Sequence, residues 1–120
     1  MPDRPQEPAH PLPLTDLAFN ILLALKDEEL HGYALVKRLR VLDGRASLRT
    51  GTVYAALARL EDDGLVVDAD HAFSEGEDVR RRYYKVTDHG LGVARAEAER
   101  LSKVLRIARS KNMLADPATG

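Results

Sequence analysis

The side chains best suited to recognising another molecule lie on one side of a single stretch, Thr50 to Leu65. At 100° per residue, Thr52, Ala55 and Arg59 share one face of a helix there. Exposed faces normally carry long Glu and Lys side chains, whereas this face is small along its middle. A major groove of DNA accepts such a helix, with methyl groups against thymine and Arg available for guanine or phosphate. The pattern is equally typical of a helix that packs its small face on another part of the same protein.

No other group of reactive side chains has the spacing of a chemical site. The four histidines, His10, His31, His71 and His89, show no metal-ligand spacing, and the chain has no cysteine. The sequence contains neither a phosphate-binding loop nor a Ser-centred elbow. His31 and His89 each stand at a predicted helix start, which favours a structural role. We therefore expect no enzymatic activity, no metal and no cofactor.

The sequence marks both ends of the helix that carries the small face. Thr50 is predicted to cap its N-terminus with the hydroxyl, and Gly51 relaxes the backbone there. Gly64 is predicted to adopt the left-handed conformation that ends a helix. The side opposite the small face is apolar and is predicted to face the core, through Val53, Ala56, Leu57 and Leu60.

A first helix is predicted from Thr15 or Asp16 to about Lys26. Its core face consists of Leu14, Ala18, Ile21, Leu22 and Leu25. Phe19 and Leu23 lie on the opposite side, where an isolated surface helix would carry polar residues. Phe19 either fills a corner of the chain's own core or, with Leu23, contacts a second subunit.

A second helix is predicted to begin at the sequence HGY and to end at Asp43 and Gly44. Its inward stripe consists of Gly32, Leu35, Val36, Leu39 and Leu42. Tyr33, Lys37 and Arg40 share the other side, which is typical either of a surface along a phosphate backbone or of a solvated amphipathic face. A turn leads from this helix into the Thr50 helix, so the two predict a helix-turn-helix.

Two short segments after Gly64, LVVDAD (65–70) and RRRYYKV (80–86), predict a hairpin. A hairpin directly behind a helix-turn-helix is a wing. Alternation places one set of side chains on each face of its second strand, Arg80, Arg82, Tyr84 and Val86 on one and Arg81, Tyr83 and Lys85 on the other. We expect the arginines at the base of the wing to reach phosphates or the flanking minor groove, and its acidic tip to turn away.

A last long helix is predicted from Thr87 or Asp88 to about Asn112. One face has the 3, 4, 3, 4, 3 spacing of a coiled-coil seam and contains Leu91, Ala94, Ala98, Leu101, Leu105 and Ala108. A thinner apolar stripe contains Val93, Val104 and Ile107. If one stripe covers the chain's own core, the other is free to meet a second copy, which predicts a two-fold dimer. A seam folded back on its own domain would instead give a monomer.

The composition describes one small domain with uneven charge. The chain has 120 residues, of which 44% are hydrophobic and 31% charged, and its net charge is −1. Any attraction to nucleic acid must therefore be local. From Lys37 to Arg59 there are six basic residues and one acidic residue, whereas from Glu61 to Asp78 there are eight acidic residues and no Lys or Arg. The surface is expected to be polarised.

Four segments follow from these patterns. Residues 1–13 hold five of the six prolines and are expected to form a disordered arm. Residues 14–87 form the predicted winged helix-turn-helix, residues 88–113 the C-terminal dimerisation helix, and residues 114–120 a disordered tail. The longest apolar run, Ile21 to Leu25, is too short to cross a bilayer, and no apolar leader begins the sequence. We expect a cytoplasmic protein with no membrane partner.

Three motifs in order resemble the PadR-like transcriptional regulators over roughly Leu14 to Ala108. They are HGY (31–33), GTVYAALARLEDDGLV (51–66) and RRRYYKVTDHG (80–90). The middle block is the most specific of the three. The short terminal helix is similar to that of the family's smaller subgroup.

The resemblance implies a mainly α fold with a small β-hairpin, a winged helix-turn-helix plus a C-terminal dimerisation helix. It also implies a homodimer that represses transcription from a pseudo-palindromic operator in double-stranded DNA, with the terminal helix at the dimer interface. Tyr33, Thr52, Tyr54 and the basic wing strand are then expected near DNA. Some members respond to phenolic acids or hold flat drugs between tryptophans; this chain has no Trp, so the effector stays open.

The expected sites combine the residue patterns with the resemblance. The DNA-binding residues are Tyr33, Lys37, Arg49, Thr50, Thr52, Tyr54, Ala55, Arg59, Arg80, Arg81 and Arg82. The dimer-interface residues are Phe19, Leu23, Leu91, Ala94, Ala98, Leu101, Leu105 and Ala108. The alternative function is a winged-helix protein-interaction module without specific DNA binding, and the acidic segment from Glu61 to Asp78 is the argument for it.

Overall fold

The computed structural model describes residues 10–44, 47–69 and 82–115. Within these ranges the helices and strands are α1 (Asp16–Ala24), β1 (Leu30–His31), α2 (Gly32–Asp43), α3 (Thr50–Asp62), β2 (Val66–Asp68), β3 (Tyr83–Val86) and α4 (Asp88–Ser110). The strands form one antiparallel sheet in the order β1-β3-β2. The predicted fold class, mainly α with a small hairpin, is confirmed.

Side chains cap three of these four helices at their N-termini. Thr15 Oγ1 accepts a hydrogen bond from the Ala18 amide (3.0 Å) at the start of α1, and Thr87 Oγ1 accepts from the Gly90 amide (2.9 Å) at the start of α4. At α2 the cap is His31, whose Nδ1 accepts from the Ala34 amide at 3.2 Å. The structural role expected for His31 is confirmed.

The start of α3 differs from the prediction. Arg49 is the N-cap, no side chain caps the helix, and Thr50 is already the first helical residue. The backbone of Arg49 is extended, and its carbonyl accepts from the amides of Thr52 and Val53 at 3.1 and 3.2 Å. The predicted cap by Thr50 is therefore wrong, because the helix begins one residue earlier than a Thr50 cap allows.

The end of α3 is as predicted. Gly64 has a φ of +78°, a conformation that costs glycine little. The Gly64 amide donates to the Glu61 carbonyl at 3.0 Å and the Leu65 amide to the Leu60 carbonyl at 2.9 Å. These two bonds form a Schellman motif, and the buried pair Leu60 and Leu65 supplies the apolar contact that accompanies it. The turn sends the chain directly into β2.

The core lies where α1, α2 and α3 meet the sheet. Its fully buried large side chains are Ile21, Leu22, Leu25, Leu35, Val36, Leu39, Val53, Leu57, Leu65 and Val66. The predicted inward stripes of the first three helices are confirmed except at Leu42, whose side chain is 47% exposed. Leu42 lies one residue from the C-terminal end of α2.

Strand β1 has no counterpart in the sequence analysis. It contains only two residues, and it exists because Leu30 and His31 pair with Tyr84 and Tyr83 of β3. The His31 ring also meets the Tyr83 ring edge to face, with centroids 5.5 Å apart. A two-residue strand has no periodicity that a sequence could display.

The first turn of α4 lies against the end of α3. The Thr87 amide donates to the Leu65 carbonyl at 3.0 Å, and Thr87 Oγ1 donates to the Gly64 carbonyl at 2.7 Å. A Cβ on Gly90 would stand 2.1 Å from the Leu65 carbonyl oxygen. Only glycine therefore allows this close approach of helix and backbone.

One carboxylate is buried on α4. Glu97 is 2% exposed, and its two oxygens accept from Nε and Nη2 of Arg100, both at 2.9 Å. The bonds from Arg100 hold the pKa of Glu97 below its ordinary value, and a bond from the Leu14 backbone acts in the same direction. The backbone of Leu14, two residues before α1, therefore lies near the Glu97 carboxylate.

The described part of the proline-rich arm, residues 10–13, lies beside the helices. His10 Nε2 stands 3.1 Å from Asp63 Oδ2, at the end of α3. Residues 1–9 and 116–120, where the rest of the predicted arm and tail falls, lie outside the described residues. Among the described helices, none is long and apolar enough to span a membrane.

Candidate nucleic-acid interface

The small face of α3 points outward. Thr52, Ala55 and Arg59 are exposed, whereas Val53 and Leu57 on the opposite side are buried. No described residue covers this face, so it does not pack on any of the described elements of the protomer. A narrow helical ridge with methyl, hydroxyl and guanidinium groups is thus available to an external surface.

The N-terminal end of α2 lies beside this ridge. A Cβ on Gly32 would stand 2.2 Å from Tyr54 Oη, so the glycine makes room for the Tyr54 ring. Tyr54 is 38% exposed and Tyr33 is 57% exposed. The Lys37 ammonium lies 5.3 Å from the centroid of the Tyr33 ring, a cation–π distance. Two phenols and one ammonium therefore border the ridge.

The open start of α3 adds polar groups at the same end. Arg49, Thr50 and Gly51 are all exposed, and no side chain occupies the N-terminal amides as a cap. Free amides and the positive end of the helix dipole favour an anion such as a phosphate. Arg40, by contrast, is used internally, because its Nε and Nη2 donate to the Leu48 carbonyl at 3.0 and 2.9 Å. Arg40 thus fixes the linker that precedes α3.

Arg59 lies at the opposite end of the ridge. It is about 10 Å along the helix axis from Thr52. There it borders a groove shared with the arm and α1, whose walls include His10, Leu14 and Asp63. Arg59 makes no hydrogen bond or ion pair with another described residue, so its guanidinium is free to turn toward either side.

The wing arginines divide into two groups. Arg80 and Arg81 lie outside the described residues. Arg82 donates from Nε to Asp68 Oδ2 at 3.0 Å and from Nη2 to Glu61 Oε2 at 3.1 Å. The bond to Asp68 raises the pKa of Arg82 above its ordinary value. The Arg82 guanidinium also lies 5.4 Å from the centroid of the Tyr84 ring, on the face that strand alternation predicts.

The residues predicted for a subunit interface form a second surface. Phe19, Leu22 and Leu23 of α1 and Leu91, Ala94 and Ala98 of α4 line one apolar groove. Leu23 is 46% exposed and Leu105 is 43% exposed. Beyond about Leu101, α4 extends away from the core, and Val104 and Ile107 of the thinner stripe are 49% and 56% exposed. Of that stripe only Val93 is buried in the protomer.

Ligands for a metal ion are not grouped in the described part of the chain: no set of three or more His, Asp or Glu side chains there could hold one. The arrangement of α2, α3 and the sheet is instead that of a winged helix-turn-helix, in which the second helix presents an exposed face and the hairpin follows it. This class of protein binds nucleic acid through the exposed helix.

Comparison of the sequence with known protein families identifies the family of this chain. The model of the transcriptional regulator PadR-like family matches residues 21–96, and the chain belongs to that family. No curated protein matches the sequence. Members of this family are transcription regulators, so the predicted class, DNA-binding transcription regulation by a winged helix, is confirmed.

Solved structures agree with this assignment. A PadR-like regulator from Bacillus cereus matches with a TM-score of 0.67 and 26% identity over 82% of this chain and 93% of that one. A PadR family regulator from Eggerthella lenta is 32% identical, with a TM-score of 0.60 and 83% of both chains covered. Bacillus subtilis PadR in complex with operator DNA matches with a TM-score of 0.58 and 25% identity, over 70% of this chain and 46% of that one.

Several residues shape the site through contacts that the sequence does not predict. Gly32 leaves space for the Tyr54 ring, and Arg40 donates hydrogen bonds to the Leu48 carbonyl in the linker before α3. Glu61 and Asp68 accept hydrogen bonds from the Arg82 guanidinium. For Gly32 and Arg40, periodicity indicates only that they lie on opposite faces of their helix. Contacts of this kind join residues that are distant in sequence, so spacing along the chain carries no signal for them.

Proposed function

We propose that the protein is a sequence-specific repressor that acts as a homodimer on a pseudo-palindromic operator. The observation that carries the proposal is the exposed small face of α3, which is bordered by phenols and cations and covered by none of the described residues. In each subunit α3 would enter a major groove. The two copies would be spaced by about one DNA turn, roughly 34 Å.

The proposed contacts follow the position of each side chain on this surface. Thr52 and Ala55, in the first half of α3, meet base edges in the groove, and Arg59 meets a base or phosphate at its far end. The phosphate contacts come from Tyr33, Lys37, Arg49, Thr50 and Tyr54, and from Arg80 and Arg81 of the wing. Arg82 is given a different role below.

Subunit pairing is proposed through the groove between α1 and α4. Phe19 and Leu23 form one wall, and the seam from Leu91 to Ala108 on the partner's α4 is the proposed occupant. The exposed apolar side chains beyond Leu101 support this proposal, because the protomer offers them no core. The complex of Bacillus subtilis PadR with operator DNA supports operator binding by this protein, and repression is part of the proposal.

Selection of bound fragments from a pool of random duplex DNA tests the function directly. We expect enriched fragments with two inverted half-sites about 10 base pairs apart. If no sequence is enriched and the protein binds no duplex in low salt, the alternative of a protein-interaction module is favoured. The acidic side chains at the end of α3 (Glu61, Asp62 and Asp63) are the feature that such a module would use.

Titrations of the selected duplex at several salt concentrations then separate the contacts. Lys37→Ala should weaken all sequences alike and reduce the salt slope by about 0.9 for each phosphate that is no longer neutralised. Lys103→Ala is the matched control, because it removes the same charge from an exposed position on α4 away from the ridge.

Arg59→Ala should reduce the binding free energy by about 1–3 kcal/mol and change the preferred sequence if Arg59 reads a base. Equal affinities for all three variants and the wild type would contradict the proposed contacts.

A further inference from the structure

Arg82 is directed into the protein, toward two other elements. Its Nε donates to Asp68, the last residue of β2, and its Nη2 donates to Glu61, in the last turn of α3. One side chain directly before β3 therefore joins the other strand of the wing to the helix proposed to enter the groove. We call Arg82, Glu61 and Asp68 together the Arg82 clasp.

The Arg82 clasp packs against a buried side chain. The Arg82 guanidinium lies over the ring of Tyr84, which is 6% exposed and pairs with Asp68 and Leu30 across the sheet. The two bonds come from two different nitrogens of a planar guanidinium, so they fix its orientation as well as its position. A lysine ammonium has no such fork and cannot reproduce both bonds with one geometry.

Global stability is not the main effect of these ion pairs. The side chains of Arg82, Glu61 and Asp68 are 43%, 28% and 37% exposed, and partly exposed pairs contribute little to the free energy of unfolding. Their effect is on orientation. The chain connects α3 to β2 only through the short turn at Gly64, and the clasp adds a second link between the same two elements.

We propose that Arg82 is a positioning residue for DNA binding, which holds the base of the wing at a fixed orientation to α3 and is not itself a phosphate ligand. This role rests on the proposed function. A winged helix must present its wing and its helix to one duplex at the same time, so a loosened wing lowers affinity even when α3 binds as before. The guanidinium is already bonded to two carboxylates, and a phosphate would have to displace them or share its remaining N–H groups.

The two roles predict opposite results for the double variant Glu61→Ala with Asp68→Ala, which removes both acceptors of the Arg82 bonds. The substitutions remove two negative charges next to the proposed interface. If Arg82 binds phosphate, they free it, and the affinity for the selected duplex rises. If Arg82 positions the wing, the affinity falls about three- to tenfold despite the more favourable charge.

Arg82→Lys, which changes the donor of the clasp and leaves both carboxylates in place, also distinguishes the positioning role from phosphate binding. It keeps the positive charge but removes the fork, so the positioning role predicts a similar fall in affinity with an unchanged salt slope. Combining all three substitutions should cost no more than either change alone, because each already opens the clasp. Asp62→Ala is the matched control: it removes an exposed carboxylate from the same turn of α3, outside the clasp, and should not weaken binding.

All affinities are measured well below the unfolding temperature of each variant, so that differences in the folded fraction do not affect the measured affinity. Tighter binding by the double variant, wild-type affinity for Arg82→Lys, or additive losses in the triple variant would each overturn the positioning role alone. A wild-type protein that binds no duplex would instead overturn the proposed function, and this role with it. The two failures are therefore distinguished by the wild-type titration.

Discussion

At the scale of single residues, the two glycines at the start of α4 have opposite requirements. A Cβ on Gly90 would meet the Leu65 carbonyl oxygen at 2.1 Å, whereas a Cβ on Gly92 would meet nothing within 4 Å. Gly90→Ala should destabilise the fold by about 1–3 kcal/mol through overpacking. Gly92→Ala should stabilise it by up to about 1 kcal/mol, because alanine favours a helix interior. Urea unfolding of both variants checks this, and equal effects would contradict the close approach of α4 to Leu65.

The buried carboxylate of Glu97 predicts a pH dependence. Its pKa is lowered in the folded protein, mainly by the hydrogen bonds from Arg100, so the folded state favours the ionised form. The stabilisation is present above the ordinary pKa of a glutamate and is lost as the pH falls through the lowered value. Glu97→Gln should therefore unfold more easily than the wild type at pH 7, with a difference that shrinks under acid conditions.

Chemical denaturation at a series of pH values measures this difference. Glu99→Gln is the matched control, because Glu99 is exposed on the same helix and should show little change at any pH. A Glu97→Gln variant whose deficit stays constant down to acid pH would show that packing, and not the ionised carboxylate, accounts for it.

At the scale of elements, the contact between α2 and α3 depends on Gly32 and Tyr54. A Cβ on Gly32 would overlap the outer end of the Tyr54 ring, which is movable, so Gly32→Ala should displace the ring and leave the helices in place. We expect weaker binding of the selected duplex with a modest loss of stability. In a Tyr54→Ala background the same Gly32→Ala change should have almost no effect on either quantity, because no ring remains to be displaced. Equal costs in both backgrounds would contradict this account.

At the scale of the whole molecule, the proposed dimer predicts the effect of a charge in the exposed far half of α4. Leu105→Glu places a charge on the proposed seam and should convert the proposed dimer into a monomer, because an unpaired charge is costly to bury. Analytical ultracentrifugation over a range of concentrations measures this change. Ser102→Glu, exposed and off the seam, is the control. If Ile107→Glu dissociates the protein and Leu105→Glu does not, the dimer uses the thinner stripe instead.

The sequence by itself determined the four helices, the two strands of the hairpin and the order of these elements. Helical periodicity identified the buried faces of α1, α2 and α3, because burial of a stripe every 3.6 residues is a local pattern. Thr15, Thr87 and Gly64 were visible as helix ends, since caps act within a few residues. The motif blocks around Gly51 and Arg80 were enough to suggest the family.

Only the tertiary structure decided which of these residues are already engaged. In the structure α3 begins at Thr50 without a side-chain cap from Arg49, and β1 pairs with β3. Leu42 is exposed, and Arg82 is bonded to Glu61 and Asp68. Each of these outcomes depends on groups that are far apart along the chain or on a backbone angle that no neighbour dictates. A sequence records which charges a chain carries, but whether an arginine faces a phosphate or a carboxylate depends on the packing that brings its partners within about 3 Å.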